Sequence, residues 1–279
     1  MTDEIIRPAW SSQFLADALQ VLTSRGPIAD ITREWAWGGS TGKGVRVAVV
    51  DSGIEYDHPA LGGSVRGGVM VEYDPQAEDD YRIEPDDQPQ DPAGHGTACA
   101  GIIHALAPEA ELYSVRVLGK DFKGRAIQFA AGLDWAIENG MQVVNLSLST
   151  SKEEYYGMFH DLADQAYFKN IILVSAVNNI PAPSYPSLYS SVISVAAHES
   201  HDPFTYYYNP SPPVEFGAPG IDLEVAWNEK QTMISTGNSF AAPHITGIVT
   251  LIRAKHPELT PFQIKTVLWA CAANTQRAE

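Results

Sequence analysis

Cysteine is scarce: Cys99 and Cys271 are the only two in 279 residues. That is too few for a disulfide framework and points to a reducing compartment. Long apolar runs are missing too, and no window approaches the roughly 20 consecutive apolar residues that a bilayer-spanning helix needs. Met1 to Pro8 carry Asp3 and Glu4 and lead into no apolar stretch of the kind a secretory signal requires. Together these absences predict a cytoplasmic protein. Positive charge is also short, with 18 Lys and Arg against 34 Asp and Glu and a net charge of −16. Such a surface repels phosphate backbones and anionic lipid, so neither nucleic acid nor membrane is an expected partner, whereas basic peptides are attracted. No internal repeat, low-complexity tract or linker-like break divides the chain. At 44% hydrophobic it can fill one large core. The expected organisation is an N-terminal extension, residues 1–25, followed by one domain, residues 26–279.

Five Val/Ile/Leu-rich runs stand out, at residues 45–50, 112–117, 142–148, 171–176 and 192–197. Near-continuous apolar content means burial on both faces, the signature of parallel strands. Helical patterns lie between them at 97–106, 124–139 and 153–169. The alternation predicts an α/β fold, a three-layer α/β/α sandwich with a mostly parallel central sheet. Ligands in such sheets bind beyond the carboxyl ends of the strands, where Asp51 and the pair Asn178-Asn179 fall. In the extension, Phe14, Leu15, Ala18, Leu19 and Leu22 recur at helical spacing across residues 11–22. They predict a helix packed on the domain, or one that reaches over the cleft.

Ser239 lies in Ser235-Thr236-Gly237-Asn238-Ser239-Phe240-Ala241-Ala242-Pro243-His244, just ahead of an apolar helical run. A serine there either caps the helix or uses its free N–H groups and dipole to support a nucleophile. Upstream stand Val47-Ala48-Val49-Val50-Asp51-Ser52-Gly53-Ile54 and Gly94-His95-Gly96-Thr97-Ala98-Cys99-Ala100-Gly101. With these three motifs in the order Asp, His, Ser, the chain resembles the subtilisin-like serine proteases from about residue 28 to residue 272.

The resemblance implies roles residue by residue. Ser239 would be the nucleophile, His95 its base and later acid, and Asp51 the group that fixes the imidazole. Asn179 would donate to the oxyanion, with Asn178 where the family has glycine. The edge Ser147-Leu148-Ser149 would pair with an extended substrate, and Phe122-Lys123-Gly124 would form the opposite edge strand. The Tyr185-Pro186 bond is expected to be cis. Ser149, Thr150 and Asn178 stand where glycines let the substrate backbone approach, which predicts a narrower, more polar primary pocket. Asn238 replaces a threonine and would offer its amide to the substrate oxyanion.

Residues 101–112 run from helix to strand without the loop that holds calcium in many relatives, so no metal and no cofactor are expected. Secreted relatives carry a folded pro-domain, for which the segment before Val45 is too short, and this suggests the intracellular type. Cys99, one helical turn after His95, reads as a buried filler. Residues 72–91 hold Glu72, Asp74, Glu78, Asp79, Asp80, Glu84, Asp86, Asp87 and Asp91 against Arg82 alone. They read as a solvated loop, as a selector of basic substrates or, ranked below that because the spacing matches no EF-hand loop, as a calcium site of clustered carboxylates. The resulting expectation is a serine endopeptidase that processes peptides or proteins. Its alternatives are a peptide macrocyclase or transpeptidase of the same fold, and a silent member that binds peptides or a partner. An α/β-hydrolase would need glycine at Ala241 and, after Ser239, an acid and then a histidine, but no Asp occurs there; a zinc peptidase would need a His-Glu-x-x-His set, which is absent from the sequence.

Overall fold

The computed structural model describes residues 8, 9, 11–15, 18 and 31–275. Nine strands form one sheet: β1 (Arg46–Asp51), β2 (Val65–Tyr73), β3 (Tyr81–Asp86), β4 (Glu111–Arg116), β5 (Val143–Leu146), β6 (Ile172–Ala176), β7 (Ile193–His198), β8 (Tyr207–Tyr208) and β9 (Phe216–Pro219). Their order is β3-β2-β4-β1-β5-β6-β7-β9-β8. The five apolar runs become its contiguous centre, β4-β1-β5-β6-β7, and every ladder among them is parallel. Among the described residues, antiparallel pairs in this sheet occur only at its edges, β2 with β3 and β8 with β9. A separate hairpin joins β10 (Leu223–Trp227) to β11 (Gln231–Ser235).

The helices are α1 (Arg33–Trp37), α2 (His95–Leu106), α3 (Ala126–Glu138), α4 (Tyr156–Phe168), α5 (Asn238–Lys255) and α6 (Pro261–Cys271). Strand β1 shows why its sequence does not alternate. Val47 and Val49 pack into a core with Cys99 and Ile103 of α2, Ile245 and Val249 of α5, and Ile264 of α6. Ala48 and Val50 point the other way, against Phe129 and Leu133 of α3 and Phe159 of α4. Successive side chains face opposite sides of a sheet, so helices on both faces leave no wet position. This is the expected α/β/α sandwich. Among the described residues no helix is long and apolar enough to cross a membrane.

Two expectations change. Residues 72–91 are not a loop: most belong to the β2–β3 hairpin, which extends the sheet at one edge, with Tyr73 opposite Tyr81. The hairpin carries its charges outward, and Arg82 pairs with Asp74 at 2.9 Å. The exception is Asp91, which is buried. In the N-terminal segment the expected helix over 11–22 is replaced at its start by a single 3₁₀ turn, Ser11–Phe14. Leu19 and Leu22 lie outside the described residues.

Candidate active site

Asp51 ends β1 and His95 begins α2, and the two side chains meet with His95 Nδ1 2.8 Å from Asp51 Oδ1. Asp51 is fully buried and its carboxylate also accepts the Ser52 N–H at 2.7 Å. A carboxylate only accepts, so the proton sits on Nδ1 and Nε2 keeps its lone pair.

The pair is held by Asp91. Its Oδ1 accepts from Ser52 Oγ (2.8 Å), Ala93 N (3.1 Å) and Gly94 N (2.8 Å), and its Oδ2 accepts from Thr97 N and Oγ1, both at 2.8 Å. One buried carboxylate thus takes the Gly94 and Thr97 N–H groups at the start of α2, while Ser52 Oγ, which donates to it, accepts the Gly96 N–H at 3.1 Å and ties the turn to the residue after Asp51. Gly94 turns the chain into the helix at φ 90°, and a Cβ on Gly96 would lie 2.0 Å from the Gly53 carbonyl oxygen, so only glycine lets α2 approach β1 this closely. Asp91→Ala strands several of these donors and is expected to cost about 3 kcal/mol or more in urea unfolding. Asp91→Asn, which keeps one acceptor oxygen, should cost less, and a loss below about 1 kcal/mol for the alanine variant would contradict this role.

Electrostatics single out His95. Burial, the largest influence, pulls its pKa down, but the charge and hydrogen bond of Asp51 and the charge of Asp91 outweigh it, so the net shift is upward. His198 and His244 are pushed down to about 4, mainly by burial. His104 is lowered by burial as well.

Ser239 lies in the first turn of α5, after a buried Gly237, and is partly exposed. Its carbonyl would normally accept the N–H four residues on, but that residue is Pro243, which has none. Ser147 Oγ takes the orphaned oxygen at 2.8 Å, and the Cys99 thiol approaches it at 3.5 Å. Ser147 is fixed in turn by Asn145 Nδ2 (2.9 Å), whose Oδ1 accepts from Thr246 Oγ1 (2.9 Å). The helix start is thereby bound both to the 147–150 edge and to α2. Phe240 brings its ring to 5.2 Å from that of His95. Among the described residues no hydrogen bond joins the Ser239 hydroxyl to His95, a contact that is often long before substrate binds.

Asn179 Oδ1 accepts the Asn238 N–H at 2.9 Å. The oxygen end of the amide is therefore committed, and Nδ2 faces away from it as a donor. Asn178 is tied up differently, with its N–H to Ser184 Oγ at 2.9 Å and its Oδ1 accepting from Ile180 N at 3.2 Å. Asn238 departs from expectation. It is fully buried, its Oδ1 accepts the Ala197 N–H, and its Nδ2 donates to the carbonyls of Ala9, Val177 and Asn178 at 3.0, 3.2 and 3.1 Å. That amide is spent inside the fold and does not face a substrate; the backbone N–H of Asn238 instead orients Asn179.

The proposed substrate edges also take shape. Leu148 packs on the α3–α4 core, and Ser149 and Thr150 are half-buried. Thr150 exchanges both backbone bonds with Tyr185 (3.0 and 2.9 Å), and Tyr185-Pro186 is cis as expected. Phe122-Lys123-Gly124 forms part of a turn, not a strand. Phe122 has φ 59° and sets its ring edge-on to His95 at 6.0 Å, while exposed Lys123 pairs with Asp121. Asp51, His95 and Cys99 offer ligand atoms within 4.8 Å of one another. Burial and the Asp51 charge push the Cys99 pKa well above its usual value, so the thiol stays protonated and is a poor metal ligand or nucleophile. Asp91 is the residue the motifs missed; its signal, an Asp shortly before a helix start, was masked by eight acidic neighbours.

A parallel α/β/α sandwich with an Asp–His pair beyond β1, beside a serine at a buried helix start, defines the subtilisin-like class. The Subtilase family model matches residues 42–279. Subtilisin BL of Lederbergia lenta is 33% identical over 241 residues, covering 82% of this chain and 84% of the relative. Subtilisin E of Bacillus subtilis (strain 168) is 32% identical over 249 residues, covering 84% and 62%. The minor extracellular protease Epr of the same strain is 33% identical over 244 residues; 82% of this chain aligns with 35% of that longer protein. In fold, the chain is similar to a cold adapted subtilisin-like serine proteinase with a TM-score of 0.66 and 23% identity, covering 83% of each. The chain belongs to the subtilase family.

Proposed function

We propose that this subtilase is a serine endopeptidase, with residues 26–279 as its catalytic domain and residues 1–25 as an extension. The observation that carries the reading is the pairing of His95 with the buried Asp51, beside Phe240 in the first turn of α5. In this reading His95 Nε2 takes the Ser239 proton as Oγ attacks the peptide carbonyl, then passes it to the leaving amine. The Asp51 carboxylate stabilises the imidazolium. The Ser239 N–H and Asn179 Nδ2 hold the oxyanion, and water releases the acyl group. Ser147, Leu148 and Ser149 bind the substrate backbone on one side, and Phe122, Lys123 and Gly124 on the other.

The Thr150–Tyr185 bridge and the side chain of Asn178, held by Ile180 N, support a narrow, partly polar primary pocket. The outward acidic face of the β2–β3 hairpin and the net charge of −16 favour basic substrates. A cytoplasmic location fits two buried cysteine thiols. Digesting a mixed peptide pool and weighing the products tests the reading. Each cleavage should add one water, with peptides bearing basic residues preferred and large aromatic residues disfavoured before the cut. Unrestricted cleavage after large aromatics would refute the narrow pocket, and cyclic products without added water would make the chain a transpeptidase.

A further inference from the structure

Three residues far apart in sequence close a ring of hydrogen bonds. The Ala9 N–H donates to the Asn179 carbonyl at 2.7 Å, Asn179 Oδ1 accepts the Asn238 N–H at 2.9 Å, and Asn238 Nδ2 donates to the Ala9 carbonyl at 3.0 Å. Asn179 is thus gripped at both its main-chain oxygen and its side-chain oxygen, although the residue itself is exposed. Asn238 is the hub, because its Oδ1 also takes the Ala197 N–H of β7 and its Nδ2 spans the end of β6. The hydroxyl of the threonine usual at this position has one proton and could not bridge all these groups.

The N-terminal side of the ring is anchored independently. Pro8 is buried, and Ser11, fully buried, hydrogen-bonds the Pro8 carbonyl. Phe14 is 2% exposed and packs with Val177, Ala196 and Val214. Its ring fills the space over Gly217, where a Cβ would come within 2.3 Å of it. Val177 directly follows β6, the strand that delivers Asn178 and Asn179, and Ala196 lies in the neighbouring strand β7.

We propose that this N-terminal turn is a strut of the oxyanion site, with Ala9 and Asn238 as positioning residues that aim the Asn179 amide. The inference rests on the reading of Asn179 as oxyanion donor. A side chain on an exposed loop end has rotamer freedom, and a donor must be held within roughly 0.5 Å and 10–20° of its productive geometry. Fixing the Oδ1 of Asn179 and its carbonyl together leaves Nδ2 one direction. The strut therefore acts on the chemical step, not on substrate affinity, and the turn supports the cleft instead of covering it.

Two full-length variants test this away from the reacting groups. Phe14→Ala removes the anchor, and Ala9→Pro deletes the single N–H given to Asn179. Each is expected to lower kcat on a peptide substrate about tenfold while KM moves less than about twofold. In an Asn179→Ala background neither should lower kcat further, because the group they position is gone. Unchanged kcat in both would overturn the proposal. So would a rise, which would make the turn a cover, or an equal drop in the Asn179→Ala background, which would mean general loosening of the fold. Should Phe14→Ala fail to fold, Ala9→Pro carries the test alone. An Asn179→Ala variant with wild-type kcat removes the oxyanion assignment and the strut together, whereas an active Ser239→Ala removes the protease reading itself.

Discussion

Asp51→Asn should lower kcat by about 10⁴, the loss seen when the same change is made in a Ser-His-Asp triad. An asparagine fits the buried site, but its amide can present an N–H toward His95 Nδ1 and stabilise the wrong tautomer. The pH profile adds a second, independent readout. In the native protein the charge and hydrogen bond of Asp51, with help from Asp91, overcome burial and set the His95 pKa above its ordinary 6.5. In the proposed mechanism the neutral imidazole is the base, so activity should be present above that pKa and disappear as pH falls through it. Without the carboxylate, burial dominates and the pKa drops. The acid limb of kcat/KM should therefore move to lower pH in Asp51→Asn while the whole profile sinks. A variant with wild-type kcat, or an acid limb that stays in place, would mean that this pair does not control the reaction.

Asn179→Ala should lower kcat by about 10²–10³ with KM nearly unchanged, a figure established on subtilisin itself and taken over from it. In its proposed role the donor meets charge that exists only in the transition state, so its loss should leave ground-state binding alone. Asn178→Ala makes the internal comparison. Asn178 spends its side-chain oxygen on Ile180 N, and its backbone bond to Ser184 survives the substitution. Its kcat should stay within about threefold of wild type. If the larger loss fell on Asn178, the donor assignment between these neighbours would be reversed.

The central sheet was legible because strands buried on both faces leave runs such as Val47 to Val50 with no polar position, and the helices between them kept their 3.6-residue period. The edges were not. Strands β2 and β3 carry Glu72, Glu84 and Asp86 on an outward surface, and charge density hides the alternation that would mark a strand. Local sequence also cannot say which acid turns inward. Asp91 resembles its neighbours until the fold brings Ser52, Gly94 and Thr97 around it. In the same way Asn238 reads as a group that can meet substrate, and only packing shows that Ala197, Val177, Asn178 and Ala9 consume its amide. The pairing of Asp51 with His95 was read from motifs 44 residues apart, because each motif marks a strand end or a helix start by itself.

The most direct test of the central claim is intact-mass measurement after treatment with a fluorophosphonate, which reacts only with a serine activated by a working base. One adduct on the wild-type chain and none on Ser239→Ala is the predicted result, with Asp51→Asn and His95→Ala labelling far more slowly. A folded wild-type chain that takes up no adduct, or a Ser239→Ala variant that still does, would contradict the assignment of Ser239 as an activated nucleophile.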